Sequence, residues 1–422
     1  MKKIKVVWIC SFSSPEFREK LNIRKPSLFE RTAYHVLKKQ MSYGKDSAIW
    51  NVNAIKEFEI FQDEIELHVV CAIRNLKSEE QTFVLRGVHY HCFREENSSL
   101  LRKLRRQLFT KNSELFAENR RNFSHIIAGI KPDIVHVIGA ENPYYSLSAL
   151  DIPEDIVSIV QLQALLVRLV DVTDKPEEKE SFAYKGELEK QIIRKVDYIG
   201  TTVPEFIDYI RKDIRPDAQF LGISLAMGQK IDRTECEKQY DFVYWSANIN
   251  KAGEDAIEAY ILAYKQNPTI TLDIIGGYSD DFKAKLIERL TSVGAENSVT
   301  FEGLLPTHDD VIHQLRKSKI ALLPLKMDFV PNTLHEAMAN GLPVITTRTD
   351  GTPGLNVNRQ TVLISEQGDY GNMSQNMLKV LDEPSLFSEL RQNGFTTESD
   401  YDSNEKRMKK WLQAYKQICN YE

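Results

Sequence analysis

The 422-residue sequence is short of the features that would place it in several broad classes. Its five cysteines (Cys10, Cys71, Cys92, Cys236 and Cys419) are odd in number, far apart and never paired as C-x-x-C, which argues against a disulfide scaffold and a structural zinc site. No stretch of about 20 apolar residues occurs; even residues 156–170 are interrupted by Ser158, Gln161, Gln163 and Arg168. The apolar start, residues 4–10, contains Lys5 and runs into Ser11-Phe12-Ser13-Ser14-Pro15, too short for the core of a secretion signal and more in keeping with a first strand. A bias of charge is missing too: 55 basic and 60 acidic residues leave a formal charge of -5, and 27% charged against 42% hydrophobic residues excludes wholesale disorder and a globally basic nucleic-acid binder. No G-x-G-x-x-G follows a strand-like segment, which disfavours a dehydrogenase. No internal repeat or low-complexity tract is evident, and the protein is expected to be cytoplasmic, at most peripheral to the inner face of a membrane.

What is present is an alternation. Short β-branched runs and longer helical patterns follow one another, the signature of βαβ units and parallel sheets. The first half reads as strands at residues 5–10, 66–72, 88–93, 134–138, 156–160 and 198–202, with helices near 28–40, across 100–130 and at 177–195. Pro216, Gly222, Gly228 and a polar 229–239 stretch break the pattern, which puts the domain junction at residues 215/216. A second set follows, with strands at 242–245, 271–275, 299–302, 320–323 and 343–346, and helices at 254–266, 281–293, 309–317 and 332–339. The expected fold is α/β: two doubly wound, Rossmann-like domains, 1–215 and 216–399, facing an interdomain cleft, with a helix in 400–422 returning to the first. Ligands of such sheets bind beyond the carboxyl ends of the strands.

The most informative segment is Asp328-Phe329-Val330-Pro331-Asn332-Thr333-Leu334-His335-Glu336-Ala337-Met338-Ala339-Asn340-Gly341-Leu342-Pro343-Val344-Ile345. A turn containing Pro331 feeds a short helix, with Asn332 and Thr333 as candidate caps and Gly341 and Pro343 at its end. Free N–H groups at a helix start bind anions, and two carboxylates, Asp328 and Glu336, flank this one. A diphosphate between two polyols would suit such a site. Here the chain resembles retaining, nucleotide-sugar-dependent glycosyltransferases of the GT-B fold, the large family-four type, whose E-x7-E motif runs into E-A-M-A-x-G-x-P-V-I; Asp328 replaces the first Glu. The resemblance implies that Glu336 binds the nucleotide ribose, Asp328 the donor sugar, and the backbone of Val330, Pro331, Asn332 and Thr333 the diphosphate.

A second block, Phe242-Val243-Tyr244-Trp245-Ser246-Ala247-Asn248-Ile249-Asn250-Lys251-Ala252-Gly253, falls where the family carries G-R-x4-K-G. By resemblance Lys251 stabilises the leaving diphosphate, while Ser246 stands where the Arg is usual; Lys326, Arg348 and Arg359 are candidates to replace it. The strand ending in Gly276 and Gly277 and the turn at Gly303 and Leu304 match the family's nucleotide-contacting turns, and equally suit ordinary strand ends. In the first domain, Asp133-Ile134-Val135-His136-Val137-Ile138-Gly139-Ala140-Glu141-Asn142 resembles the strand and loop facing the sugar. Gly139, Glu141 and Asn142 are acceptor-side candidates, and His136 is either a fourth or a packed strand residue. Residues 100–111 put Leu101, Leu104 and Leu108 on one stripe beside several cations, a surface helix or one that contacts an anionic membrane. No D-x-D suggests a metal: Asp280-Asp281 and Asp309-Asp310 read as helix-start charges. The expectation is a retaining, metal-independent hexosyltransferase of polysaccharide biosynthesis, without cofactor, taking a nucleotide-sugar donor and a glycan or lipid-linked acceptor. The alternatives are a catalytically silent nucleotide-sugar-binding partner, kept open by Ser246 in the usual Arg position and by Ile138 where the family commonly places a second His two residues after His136, and a GT-B-type epimerase.

Overall fold

The computed structural model describes residues 3–25, 46–96, 116–170, 176–227, 229–248, 252–326, 331–349 and 351–420. The chain divides into two compact units. One comprises Met1–Lys25, Ser47–Ala226 and Ser403–Glu422; the other comprises Met227–Asp402 together with Asp46.

The first unit is built on strands β1 (Ile4–Ile9), β2 (Ile65–Ile73), β3 (Glu80–Leu85), β4 (Val88–Arg94), β5 (Ile134–Ile138), β6 (Val157–Gln161), β7 (Tyr198–Gly200) and β8 (Gln219–Leu221). They form one sheet in the order β3-β4-β2-β1-β5-β6-β7-β8. All neighbours are parallel except β3 and β4. The central strands are buried on both faces, as unbroken apolar runs require. β3 was not evident in the sequence because its residues alternate exposed and half-buried at the sheet edge. Its hairpin is closed by Arg86 and Gly87, both at positive φ (50° and 79°), the turn that suits two twisted antiparallel strands. Of the expected 100–130 helix the described part is Ala117–Ile130; residues 100–111 and 28–40 lie outside the described residues.

The helix Asn404–Ile418 returns to this unit, capped by Ser403. It buries Met408, Trp411 and Tyr415 completely against Trp8 and Phe58. Trp411 Nε1 donates to the Ser224 carbonyl (2.9 Å) and Arg407 Nη1 to that of Leu225 (2.9 Å). Those bonds, and burial of Ile223 and Ala226 in the same core, carry the first unit to Ala226 rather than to residue 215.

The second unit contains β9 (Tyr240–Asn248), β10 (Leu272–Gly277), β11 (Val299–Gly303), β12 (Ser318–Leu323), β13 (Val344–Thr347) and β14 (Val362–Ser365). Its sheet runs β11-β10-β9-β12-β13-β14, parallel throughout. From β9 the chain winds outward to β11, then jumps back to place β12 on the other side of β9. That reversal leaves a crevice at the carboxyl ends of β9 and β12. In the first unit the equivalent reversal lies between β1 and β5. The Asp280 and His308 helices begin with Asp280-Asp281 and Asp309-Asp310 in their first turns, capped by Ser279 and Thr307, which is where helix-start charges belong.

Candidate functional site

The β9/β12 crevice of the second unit collects most of the residues singled out from the sequence. β9 ends at Ser246 and Asn248, level with Gly276 and Gly277 of β10, where the register slips by one residue. Gly276 has φ 140° and Gly303, at the end of β11, φ 77°; both are conformations a side chain disfavours, so backbone is presented bare at these strand ends. Leu304 follows directly. After β12 the helix Asn332–Ala339 begins, with Pro331 as its N-cap residue in extended conformation. The expected capping by Asn332 and Thr333 is corrected: both are already helical and no side chain caps this helix start. Asn332 Oδ1 is buried without a hydrogen-bond partner. Asp328, Val330 and Lys251 lie outside the described residues.

Glu336 is the focus of this site. It lies one turn into the helix, 5% exposed. Trp245 Nε1, from β9, donates to its Oε2 at 2.9 Å, and His308 Nε2 meets its Oε1 at 2.8 Å. His308 opens the helix His308–Leu315, and its backbone N–H donates to Asp46 Oδ2 at 3.3 Å. Burial alone would lower the His308 pKa, but the hydrogen bond and charge of Glu336, with Asp309 and Asp46, raise it above the ordinary value. Sequence reasoning missed His308 and gave Trp245 no role. The three side chains come from three segments, and the turn after Gly303-Leu304 was the only local hint.

Of the cations considered as replacements for the missing Arg, Arg348 pairs with Glu366 (2.6 Å) and Arg359 with Asp400 (2.7 Å). Lys326, three residues beyond β12, pairs with Asp255 (3.0 Å) in the first turn of the helix Gly253–Tyr264, and Tyr370 Oη donates to the same carboxylate (2.6 Å).

In the first unit Gly139, Glu141 and Asn142 lie at the carboxyl end of β5, at the β1/β5 reversal. Gly139 has φ 102°, and a Cβ there would fall 2.6–2.8 Å from Tyr145 Oη, Glu141 Oε1 and Gln163 Nε2. Glu141 Oε1 accepts from Asn142 Nδ2 (2.9 Å), while its Oε2 is buried and unpartnered. Burial raises its pKa against the bonds from its own backbone, Tyr145 and Asn142. Glu189, which sequence reasoning also missed, is pushed up to about 8, chiefly by burial and also by Glu141, against N–H bonds from Leu166 and Val167. His136 is separate from this group. It is fully buried, its Nδ1 2.6 Å from Tyr415 Oη, and belongs to the packing of the C-terminal helix.

Comparison with known proteins bears on the fold and on the second unit. A curated relative from Haemophilus influenzae, called an uncharacterized glycosyltransferase, is 25% identical over 148 residues, a match covering 35% of this chain and 40% of that relative. The sucrose-phosphate synthase from Thermosynechococcus elongatus superposes over the whole of both chains with a TM-score of 0.70 at 14% identity. A putative UDP-N-acetylglucosamine 2-epimerase from Listeria monocytogenes gives 0.60 at 13% identity, covering 100% of this chain and 98% of its own. At such identities the structures share the fold alone, and that fold is GT-B. Residues 234–397, which hold Ser246, Gly276, Gly303, His308 and Glu336, match the family model described as Glycosyl transferases group 1, so the second unit carries a glycosyltransferase group 1 domain.

Proposed function

We propose that the chain is a retaining glycosyltransferase that moves a sugar from a nucleotide-diphosphate sugar to a hydroxyl of a surface glycan or glycolipid. The observation that carries this reading is the buried Glu336 carboxylate at a sheet reversal, one turn from a helix start that no side chain caps. In this reading Glu336 accepts hydrogen bonds from the ribose hydroxyls, and the backbone of residues 330–333 receives the diphosphate. Gly276, Gly277, Gly303 and Leu304 let the nucleotide approach main chain. Asp328 orients the donor sugar, and the unpartnered Asn332 Oδ1 suits a sugar hydroxyl. Lys251 stabilises the departing diphosphate, and Lys326 supplies the second positive charge in place of the Arg that Ser246 replaces. As the sugar–phosphate bond breaks, a phosphate oxygen takes the proton of the attacking acceptor hydroxyl on the same face. Retention then needs neither a protein nucleophile nor a metal. Glu141, with Gly139 and Asn142, serves the acceptor, its free Oε2 being available to an acceptor hydroxyl.

The test is a thermal-shift screen of the purified chain against UDP, GDP, ADP, CMP and dTDP and their sugar conjugates, since a ligand that binds the native state raises its apparent stability. Stabilisation by one nucleotide series, lost in Glu336→Ala, supports the donor site. Equal donor affinity in both proteins sinks the ribose assignment. Ser246 also favours a second reading, a silent nucleotide-sugar-binding partner; it predicts stabilisation without donor hydrolysis or transfer.

A further inference from the structure

Glu336 is enclosed by the protein, yet among the described residues no Lys or Arg bonds to its carboxylate; its two donors there are an indole and an imidazole. Burying a carboxylate without a compensating charge is costly, and His308 is placed to offset that cost. Its Nε2 meets Oε1 at 2.8 Å, and its backbone is tied at the other end to Asp46. We propose that His308 is a positioning residue of the donor site, whose imidazolium offsets the charge of Glu336 and holds its carboxylate aimed at the ribose hydroxyls, so that the charge of His308 sets the affinity for the nucleotide sugar. This rests on the reading of Glu336 as the ribose anchor.

Among the described residues the charged groups that act on His308 are acidic: Glu336 from the Asn332 helix, Asp309 on its own helix, and Asp46. They favour the imidazolium over the opposing effect of burial. A carboxylate offers about four lone-pair sites, so Trp245 and His308 occupy one on each oxygen and leave room for two hydroxyl donors. With His308 charged, the pair is neutral overall and the anionic diphosphate approaches without penalty. With His308 neutral, Glu336 is a net negative charge in a poorly solvated place, facing an anionic ligand. Affinity therefore falls as pH rises through the His308 transition. The expected loss between about pH 6 and pH 9 is roughly five- to tenfold, the range for one charge acting across several ångströms of a screened, half-buried medium.

The experiment is calorimetric titration of the full chain with UDP-glucose, GDP-mannose and ADP-glucose across that pH range; the diphosphate diesters keep their charge throughout, and comparison of wild type with His308→Gln on the same ligand cancels the ionisation of the uracil and guanine rings that begins at its upper end. Wild type is expected to lose affinity with rising pH. His308→Gln places an amide N–H where Nε2 was but does not titrate, so its affinity is expected to be flat with pH. His308→Phe removes the donor and is expected to bind weakly at every pH. A melting temperature for each variant confirms folding. Parallel pH profiles in wild type and His308→Gln, with binding lost in Glu336→Ala, overturn the role of His308 and leave the ribose anchor standing. Wild-type affinity in Glu336→Ala overturns the anchor itself. Failure of wild type to bind these three or the CMP- and dTDP-linked sugars overturns both.

Discussion

Replacing Tyr415 by Phe tests whether His136 belongs to the packing of the C-terminal helix or to an acceptor site. Tyr415 is wholly buried, and its hydroxyl joins three parts of the first unit: it accepts the indole N–H of Trp8 from β1 at 3.0 Å and meets His136 Nδ1 on β5 at 2.6 Å. Burial lowers the His136 pKa to about 3, so the ring is neutral, and its Nε2 has no partner. Nδ1 is then the natural acceptor of the tyrosine O–H, with the ring proton on Nε2. Tyr415→Phe keeps the ring contacts with Trp411 and Phe58. It removes two hydrogen bonds and strands a buried N–H and a buried ring nitrogen.

Two net bonds at about 1 kcal/mol each, plus part of the penalty for groups left unpaired, give a loss of about 2–4 kcal/mol. For a unit of this size each kcal/mol moves the melting temperature by about 2–4 °C. The shift should therefore approach about 10 °C. Urea unfolding followed by tryptophan emission is the appropriate assay, because Trp8 and Trp411 lie at the altered contact, with ring centroids 5.3 Å apart. Nucleotide affinity should not change. A loss under about 0.5 kcal/mol would mean that the hydroxyl is dispensable and the accounting wrong. Lost transfer at unchanged stability would instead return His136 to the acceptor side.

Three further outcomes follow from the geometry. Gly139→Ala puts a methyl within 3 Å of Tyr145, Glu141 and Gln163 at a φ that side chains disfavour; it should cost about 2–3 kcal/mol and abolish transfer while leaving donor affinity intact, which calorimetry and a transfer assay separate. Lys326→Ala should weaken nucleotide diphosphate binding about tenfold, whereas Arg359→Ala should not change it, because Lys326 follows the carboxyl end of β12 while Arg359 precedes β14 and so sits at the opposite end of the parallel sheet. On the outer strands His68 Nδ1 lies 2.9 Å from His91 Nε2, beside His89, with Glu66 and Lys5 as the charged neighbours. Burial, followed by the charges of His68 and His89, pushes the His91 pKa down to about 4. The unfolded chain therefore binds protons first as pH falls, so stability should drop between about pH 6.5 and 4, by about 1–2 kcal/mol after discounting for a half-exposed ring. Denaturant midpoints of wild type and His91→Phe across that range check the sign, the variant being the flatter of the two.

The parts of this protein legible in its sequence are those whose cause is local. β5 (Ile134–Ile138) and the helix Asn332–Ala339 fall where the apolar run and the Pro331 and Gly341 punctuation put them, because neighbours in the chain supply the pattern. β3 was hidden because an edge strand has one solvated face and needs no continuous apolar run. The domain junction was displaced because the turn signals at Pro216 and Gly222 mark only where the helix Pro204–Asp213 and the edge strand β8 end, while the burial of Ile223 and Ala226 against a helix nearly 200 residues later decides which core the segment joins. The same division runs through the site. Glu336 could be picked out because the residues around it in sequence form a run of known kind. His308 could not: 28 positions separate it from Glu336, and what unites them is the jump from β11 back across β9 to β12, which brings the start of one helix against the first turn of another. A site at a sheet reversal is assembled from segments that are distant in sequence by construction, so its carboxylates can announce themselves through motif while the groups that set their charge do not. The pH dependence of such a site is accordingly the property least recoverable from motifs, and His308 is where it should be sought.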